Sequence, residues 1–514
     1  MAQAWPKAKP KLTQEAFDEA VTTNIEDFDM SREDAIKSAI EEFNVQGYDM
    51  TGVVTNLAGS DMDSHPIALA SQGLKEACDG KGSLAEALEA LANSLKEFTA
   101  DPAAAASGAG AAASASASTA ASAASNNKSA ANIGGMNNIA PTGGPALTQE
   151  AYVIAHKGGA MQSLLAACRQ LQAAGEADQA QLLQALGLLQ VLLAWLETRD
   201  AFPDAQGVEL VHELLKAEGS GHSVRSAAAA VAEAAAKGVE ETKCKLVEGG
   251  VAATLLELLQ QPEAPLELIG AACGVVRSVT TADDERPPAS KAFMHARVLA
   301  KSHAAIRVLL AVLRRVPAAT HPATVVRVLG TVRQVAANEE ICREFTDDGG
   351  VISCLGVLRD SIANKEVAKA CLGALRQLAH SDTVKRLLAE HGAVELAARV
   401  VEQHSGADDI AEVALGLLGN MMLRQPEICT QAAEAGVPEL VVDLMNRWPA
   451  RAPVQRQACL VTRIMVARNP ELRPAYLERG VEPLLRAAKT AHPASCKDVG
   501  SAALRDLGLD NYND

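Results

Sequence analysis

The sequence predicts an all-α fold in which helices stack into a solenoid behind a separate acidic, helical N-terminal segment. Three observations carry that prediction. The chain has 514 residues, more than one hydrophobic core spans, so it divides into domains or repeats. Only 3% of its residues are aromatic, while Leu and Ala abound. Ala brings no side-chain entropy cost and Leu fills helix interfaces, whereas a β-sandwich wants branched and aromatic residues in alternation. Finally, a glycine opening an apolar helical stretch returns at a near-constant interval from residue 147 onward.

Residues 1–100 read as an acidic helical leader. In LTQEAF, Thr13 is placed to cap a helix, with Leu12 and Phe17 as its hydrophobic staple. Phe17, Val21, Ile25 and Phe28 then recur at helical steps as one apolar stripe. Ser31 starts a second helix with Glu33 and Asp34 in its favourable first turn. Ile36, Ile40 and Phe43 form its stripe, and Gly47 stands where it closes. Two weaker helices are expected at about 67–78 and 83–98. Residues 1–100 hold 8 Lys/Arg against 18 Asp/Glu, a net of −10; 101–150 add −1 and 151–514 add −5, completing the total of −16. Residues 101–146 are Ala/Ser-rich, then Gly/Asn-rich, with no apolar stripe, and a flexible linker is the physical expectation.

From 147 to 514 the chain repeats. Gly159, Gly207, Gly250, Ala304, Gly350, Gly392, Gly436 and Gly480 anchor equivalent segments, at intervals of 48, 43, 54, 46, 42, 44 and 44 residues. Periods of about 34 and 33 residues, as in tetratricopeptide and ankyrin arrays, are too short; the HEAT/armadillo range fits. Ahead of each anchor lies a short helical segment such as PELRPAYLERG; after it come a helix of medium length and a longer apolar one such as IAEVALGLLGNMML. Glycine permits the sharp corner because it adopts positive φ without a Cβ clash. At 304 an alanine takes its place, which leaves that corner less defined.

This order of short helix, corner, medium helix and long helix resembles the armadillo-repeat family over about 150–514. The resemblance implies a right-handed superhelical solenoid of about eight repeats over 147–514. The passage from Leu12 to Leu57, LTQEAFDEAVTTNIEDFDMSREDAIKSAIEEFNVQGYDMTGVVTNL, resembles the leader of the armadillo repeat-containing protein 6 family, and AALRDLG at 502–508 is similar to that family's last helix. The resemblance implies an intracellular interaction protein with no catalytic residue to carry over.

The residues themselves offer no catalytic signature. Phosphate-binding, dinucleotide-binding, zincin and nucleophile-elbow motifs are absent from the sequence. His212-Glu213 begins like a zincin motif, but Lys216 stands where the second histidine belongs. Asp61, Asp63 and His65 lack the glycine and distal glutamate of a calcium loop and read as a solvated turn. No enzyme activity, cofactor or metal is therefore expected. Ten cysteines lie singly among apolar residues and read as reduced, buried thiols. The first residues have no apolar signal core, and no apolar run approaches 18 residues. The expected location is cytoplasmic, nuclear or both, with no membrane and no nucleic-acid partner; Lys7, Lys9 and Lys11 read as a solvated tail.

The candidate site lies on the third helices, which line the concave face of armadillo solenoids. GVVRSV, GTVRQV and GALRQL place Arg277, Arg333 and Arg376 three residues after a glycine. Asn420 and Arg463 stand at the equivalent places in the next two repeats, to within one residue. Stacked helices put such residues about 10 Å apart, as a ladder of guanidinium groups suited to carboxylates or phosphates. The plainer reading is that they cover apolar helix surface or pair with neighbouring acids. The long interval before Ala304 falls in TADDERPPASK, 281–291, which reads either as a contact loop or as a tolerated surface insertion.

The leading expectation is a non-catalytic scaffold or adaptor that holds an extended acidic or phosphorylated segment of a protein or peptide partner in its groove. A nuclear-import-type adaptor is the alternative, but the Trp/Asn pairs of such proteins are matched only at Asn420, with Trp195 and Trp448 out of register. A purely structural subunit of a larger assembly is the third reading. The acidic leader is also expected to reach the basic half of the groove across the linker.

Overall fold

The computed structural model describes residues 12, 14–48, 50, 53, 64–99, 147–175, 178–217 and 219–513. The 101–146 linker and the Thr13 cap lie outside them. All regular structure among these residues is helical, apart from one isolated antiparallel bridge between Thr99 and Leu147. The described residues form two compact units, the first ending at Leu210 and the second beginning at Val211.

In the first unit, α1 (Gln14–Glu26) and α2 (Arg32–Gln46) form a hairpin. The Ser31 side chain accepts from the Asp34 amide, and Gly47 closes α2 with φ +80°. Phe17, Ala39, Leu12 and Val53 are buried between the helices, with Val21, Ile36, Ile40 and Phe43 around them. Phe28, expected on the same stripe, is 65% exposed, because α1 stops at Glu26 and the chain has already turned.

Helices α3 (Pro66–Cys78) and α4 (Leu84–Glu97) pack against α5 (Gln149–Lys157), α6 (Ala160–Ala174) and α7 (Gln179–Leu192). His65 starts α3: its Nδ1 accepts from the Ile67 amide at 3.2 Å and its ring lies 4.7 Å from that of Phe98. Ile67, Leu74, Leu88, Leu91 and Leu95 are buried. Polar bonds add to the apolar contact, from Gln170 Nε2 to Cys78 O at 2.6 Å and from the Thr148 amide to Phe98 O at 2.8 Å. Asp18 of α1 pairs with Lys157 of α5. Residues 64–99, assigned to the leader by their charge, thus form one packed unit with the first repeat, standing ahead of it as a further helix pair. The boundary drawn at residue 100 follows composition; the packing does not break there.

From residue 149 the described helices group in threes. The first triplet is α5–α7. The second is α8 (Leu196–Ala201), α9 (Gly207–Lys216) and α10 (His222–Ala236), with the division between units falling inside α9. In the second unit follow α11 (Glu240–Glu248), α12 (Val251–Gln260) and α13 (Leu266–Val279), then α14 (Ala292–His303), α15 (Ala305–Arg315) and α16 (Pro322–Val335). Next come α17 (Glu339–Asp347), α18 (Gly350–Asp360) and α19 (Lys365–Leu378), and α20 (Asp382–Glu390), α21 (Ala393–Gln403) and α22 (Asp408–Met422). The last triplets are α23 (Pro426–Glu434), α24 (Val437–Arg447) and α25 (Ala452–Arg468), then α26 (Arg473–Leu477), α27 (Val481–Ala491) and α28 (Pro493–Asp506). The third helices α10, α13, α16, α19, α22, α25 and α28 pack each on the next, which is the armadillo-type solenoid arrangement.

The corners refine the sequence reading. Gly159, Gly250, Gly392, Gly436 and Gly480 have positive φ, and Ala304 takes the same left-handed conformation at φ +50°. At two corners the left-handed residue is one place earlier, Gln206 (φ +58°) and Gly349 (φ +79°). The anchors Gly207 and Gly350 serve packing instead, since a Cβ there would run into the buried rings of Phe202 and Phe345.

Candidate partner-binding groove

The face formed by the third helices of the second unit is organised by glycines as much as by charge. Gly274, Gly330, Gly373 and Gly416 sit mid-helix on α13, α16, α19 and α22. Each receives a side chain from the preceding third helix. The Glu233 carboxylate of α10 lies on Gly274, the Arg277 guanidinium on Gly330, that of Arg333 on Gly373 and that of Arg376 on Gly416. A Cβ would come within 3.8 Å of Arg277 Nη1 at Gly330, 3.4 Å of Arg333 Nη1 at Gly373, and 2.5 Å of Arg376 Cζ at Gly416. The glycine of the G-x-x-R pattern is therefore a seat for the arginine of the preceding repeat, and the missing side chain lets a planar guanidinium rest against helix backbone.

Asn420 and Arg463 do not continue this row. Counted from the seat glycines they lie one position further on, where the preceding repeats carry Gln334 and Gln377. Those residues form a second row that ties helices together. Gln334 Nε2 donates to Thr280 O at 2.6 Å, Gln377 Nε2 to Ala336 O at 2.9 Å, and Asn420 Nδ2 to Arg376 O at 3.0 Å. Each bond satisfies a carbonyl at the C-terminal end of the preceding third helix, which the helix leaves without an internal partner. Arg463 is exposed and pairs with Asp506 of α28 at 3.3 Å. The five residues thus belong to two rows with different work, one residue apart in register.

The other charges on this face are largely paired. Glu233 is met by Arg327 at 3.5 Å and Lys237 at 3.8 Å, and Arg327 also donates to Gly270 O at 2.8 Å. Lys365 and Lys369 share Asp409 at 3.1 and 2.9 Å. Arg277, Arg333 and Arg376 differ: among the described residues no carboxylate lies within 4 Å of them and no acceptor takes a hydrogen bond from their guanidinium groups. All three are half-buried. Burial pushes the Arg333 guanidinium below its ordinary range, the charges of Arg376 and Arg277 push it further, and Glu412 opposes them. Burial likewise lowers Arg376, with Glu412 opposing and Arg456 adding to the shift. Guanidinium stays charged near neutrality even so. Three like charges in consecutive repeats thus share a partly desolvated face with little to neutralise them.

The 281–291 insertion is bonded down as a brace. Asp283 Oδ2 accepts from the Gly238 amide at 3.2 Å and Asp284 Oδ2 from the Glu240 amide at 3.0 Å, which caps α11, whose own cap residue Val239 has no acceptor. Lys243, with no exposed side-chain surface, donates to Thr281 O at 2.8 Å and pairs with Asp283 and, at 3.6 Å, with Glu240. The hydrogen bond from Arg286 holds the Asp284 carboxyl down to about 2. At its start the Thr281 hydroxyl donates to the Arg277 backbone carbonyl at 2.7 Å, which ties the loop to the last turn of α13.

Among the described residues no three His, Cys, Asp or Glu side chains converge as a metal site, and no helix is long and apolar enough to cross a membrane. Two family models match the chain, ARMC6 over residues 148–511 and the armadillo repeat-containing protein 6 N-terminal domain over 9–73. The chain belongs to the armadillo repeat-containing protein 6 family. Human armadillo repeat-containing protein 6 is 26% identical over 430 residues, covering 81% of this chain and 75% of the human one. The Drosophila melanogaster homolog is 23% identical over 417 residues, covering 81% and 78%.

Solved structures agree on the fold of this family member. A crystal structure of an engineered protein matches with a TM-score of 0.58 at 20% identity, over 70% of this chain and 81% of its own. A structure from work on a conserved phosphorylation switch controlling the interaction between cadherin and β-catenin matches with a TM-score of 0.54 at 16% identity, over 70% and 69%. In the sequence of this armadillo repeat-containing protein 6 family member Gly274, Gly330 and Gly373 mark the arginine pattern, but their role as seats, and the places of Gly416 and Glu233, come from the structure. Aligning on Gly274, Gly330, Gly373 and Gly416, which are 56, 43 and 43 residues apart, would have exposed the seats and separated the two rows.

Proposed function

We propose that this chain is a non-catalytic interaction scaffold that holds an extended acidic or phosphorylated segment of a protein partner against α13, α16 and α19. The observation that carries the reading is the row Arg277, Arg333 and Arg376, half-buried, one per repeat, without a carboxylate at ion-pairing distance. An array that leaves such charges uncompensated loses stability to their repulsion and desolvation, and an anionic ligand restores both. The fold has a precedent for partner binding in the β-catenin neighbour, whose structure concerns a cadherin interaction under phosphorylation control. The import-adaptor reading gains no support, because Trp195 precedes α8 and Trp448 follows α24, both off the third helices. Ten free cysteines, eight of them buried, suit the reducing cytoplasm or nucleus.

The test is fluorescence anisotropy of the full chain with labelled 13-residue peptides, glutamate-rich, phosphoserine-bearing or lysine-rich. Anionic peptides should bind, weaken with salt, and lose binding in the Arg333→Glu/Arg376→Glu variant while its helicity and melting stay near wild type. Preference for the lysine-rich peptide, or anionic binding indifferent to the double reversal, would sink the proposal.

A further inference from the structure

We propose that the arginine row reads spacing: it takes a polyproline-II segment with phosphorylated serine or threonine at every third position, one phosphoryl group per arginine. This rests on the groove reading above and narrows it to one partner chemistry.

Arg277, Arg333 and Arg376 are carried by α13, α16 and α19, three helices each packed on the next. Packed helices lie about 8–10 Å apart, so the guanidinium groups repeat at about that distance. In a β-strand, side chains return to one face every second residue, at about 6.6 Å, or every fourth, at about 13 Å. Neither matches. In polyproline II there are three residues per turn rising about 3.1 Å each, so every third side chain faces the same way at about 9.3 Å. That matches the row, and such a segment arrives already extended, with less ordering entropy to lose on binding.

The row is bounded at both ends. In the register before Arg277 stands Glu233, an acid already paired with Arg327 and Lys237. In the register after Arg376 stands Gly419, and Glu412 of the same helix acts on Arg333 and Arg376 with the opposite charge. Three anionic positions are therefore read and a fourth is not. A phosphoryl group carries up to two charges and three acceptor oxygens, more than a carboxylate offers to a cation without other partners. Nucleic acid suits the row poorly. Phosphates on a B-form strand recur at about 3.4 Å of rise and wind about the helix axis, so successive ones do not line up with the arginines.

Full-length protein is titrated into labelled proline/alanine peptides that carry three phosphoserines spaced by two, three or four residues, at equal charge and 150 mM salt. A labelled oligouridylate of higher charge is the fourth probe. The three-residue spacing should bind at least about tenfold tighter than the others, since an out-of-step peptide forfeits at least one charge-assisted contact. Gly416→Ala should weaken that peptide about threefold or more, because its Cβ would take the place of Arg376 Cζ, 2.5 Å away, with no change of charge. Gly356→Ala, in α18 with open space around the new Cβ, should leave it unchanged. Equal affinity for all three spacings would overturn the spacing rule and leave the groove reading standing. No binding by any peptide would overturn both. Oligouridylate binding as tightly as the three-residue peptide would replace a protein partner with a nucleic acid.

Discussion

Replacing Arg333 with methionine should make the second unit harder to unfold. Arg333 stands between Arg277 and Arg376, and burial together with those two charges disfavours its ionised form. At about 10 Å, two unit charges repel by about 0.4 kcal/mol at the dielectric constant of water and about 1.7 kcal/mol at an effective value of 20. With two such neighbours, and with Glu412 acting in the opposite sense, a net relief of about 1 kcal/mol is expected at low salt. Methionine keeps an unbranched apolar stem over Gly373 and so preserves most of the packing. Urea denaturation followed by helical circular dichroism measures the effect on full-length protein. The midpoint should rise in about 20 mM salt, and the gain should fade toward 0.5 M as the charges are screened. Arg463→Met is the contrast: it removes a paired, exposed charge, so stability should stay level or fall by up to about 1 kcal/mol. A loss of more than about 1 kcal/mol in Arg333→Met at low salt would show that the guanidinium anchors the helices, and the anion-binding argument would lose its basis.

Ala304→Gly should stabilise by about 1 kcal/mol, because Ala304 holds a left-handed conformation at φ +50° that costs a Cβ-bearing residue about that much; an unchanged denaturation midpoint would mean the corner is relaxed. Gly350→Ala should cost about 1–3 kcal/mol, since the new Cβ collides with the ring of Phe345, which has no exposed surface to retreat into, and a wild-type melting curve would refute that. Asp284 is ordinarily near 3.8 and falls to about 2 here, so its contribution is fully present above pH 4 and is lost as pH drops toward 2; it amounts to about 1–2 kcal/mol. Asp284→Asn should remove that acid-side slope of stability and leave the neutral-to-basic side parallel to wild type.

What the sequence revealed was whatever recurs at the repeat period. The corner glycines, the helix triplets and the arginines of the third helices return at intervals of 42 to 56 residues, and repetition separates them from background. What it concealed depended on partners distant in the chain. The 281–291 stretch reads as a contact loop or a surface insertion, because nothing near Asp283 and Asp284 shows that the Gly238 and Glu240 amides come to meet them. Composition put residues 64–99 with the leader, yet Leu74, Leu88 and Leu91 are fully buried against helices that start beyond residue 147. Phe28 failed in the opposite direction: the periodic stripe ran on past the end of the helix that gave it meaning. Asn420 and Arg463 went astray because the ladder was aligned on a long side chain, which tolerates a slip of one residue. The glycine beneath it does not.

The amide row has a mechanical consequence. Gln334, Gln377 and Asn420 each bridge one joint between successive third helices, so the run from α13 to α22 carries a chain of three links along one edge. Tension applied along that edge must break a link before a joint opens. At the α10–α13 joint the same position holds Ser278, whose side chain is too short to reach back, and at α22–α25 it holds Arg463, which reaches forward to Asp506. The segment that carries the arginines is thus held by an amide link at each of its joints, which the joints on either side lack. A ligand spanning the arginines would then meet distances held by side-chain bonds as well as by helix packing.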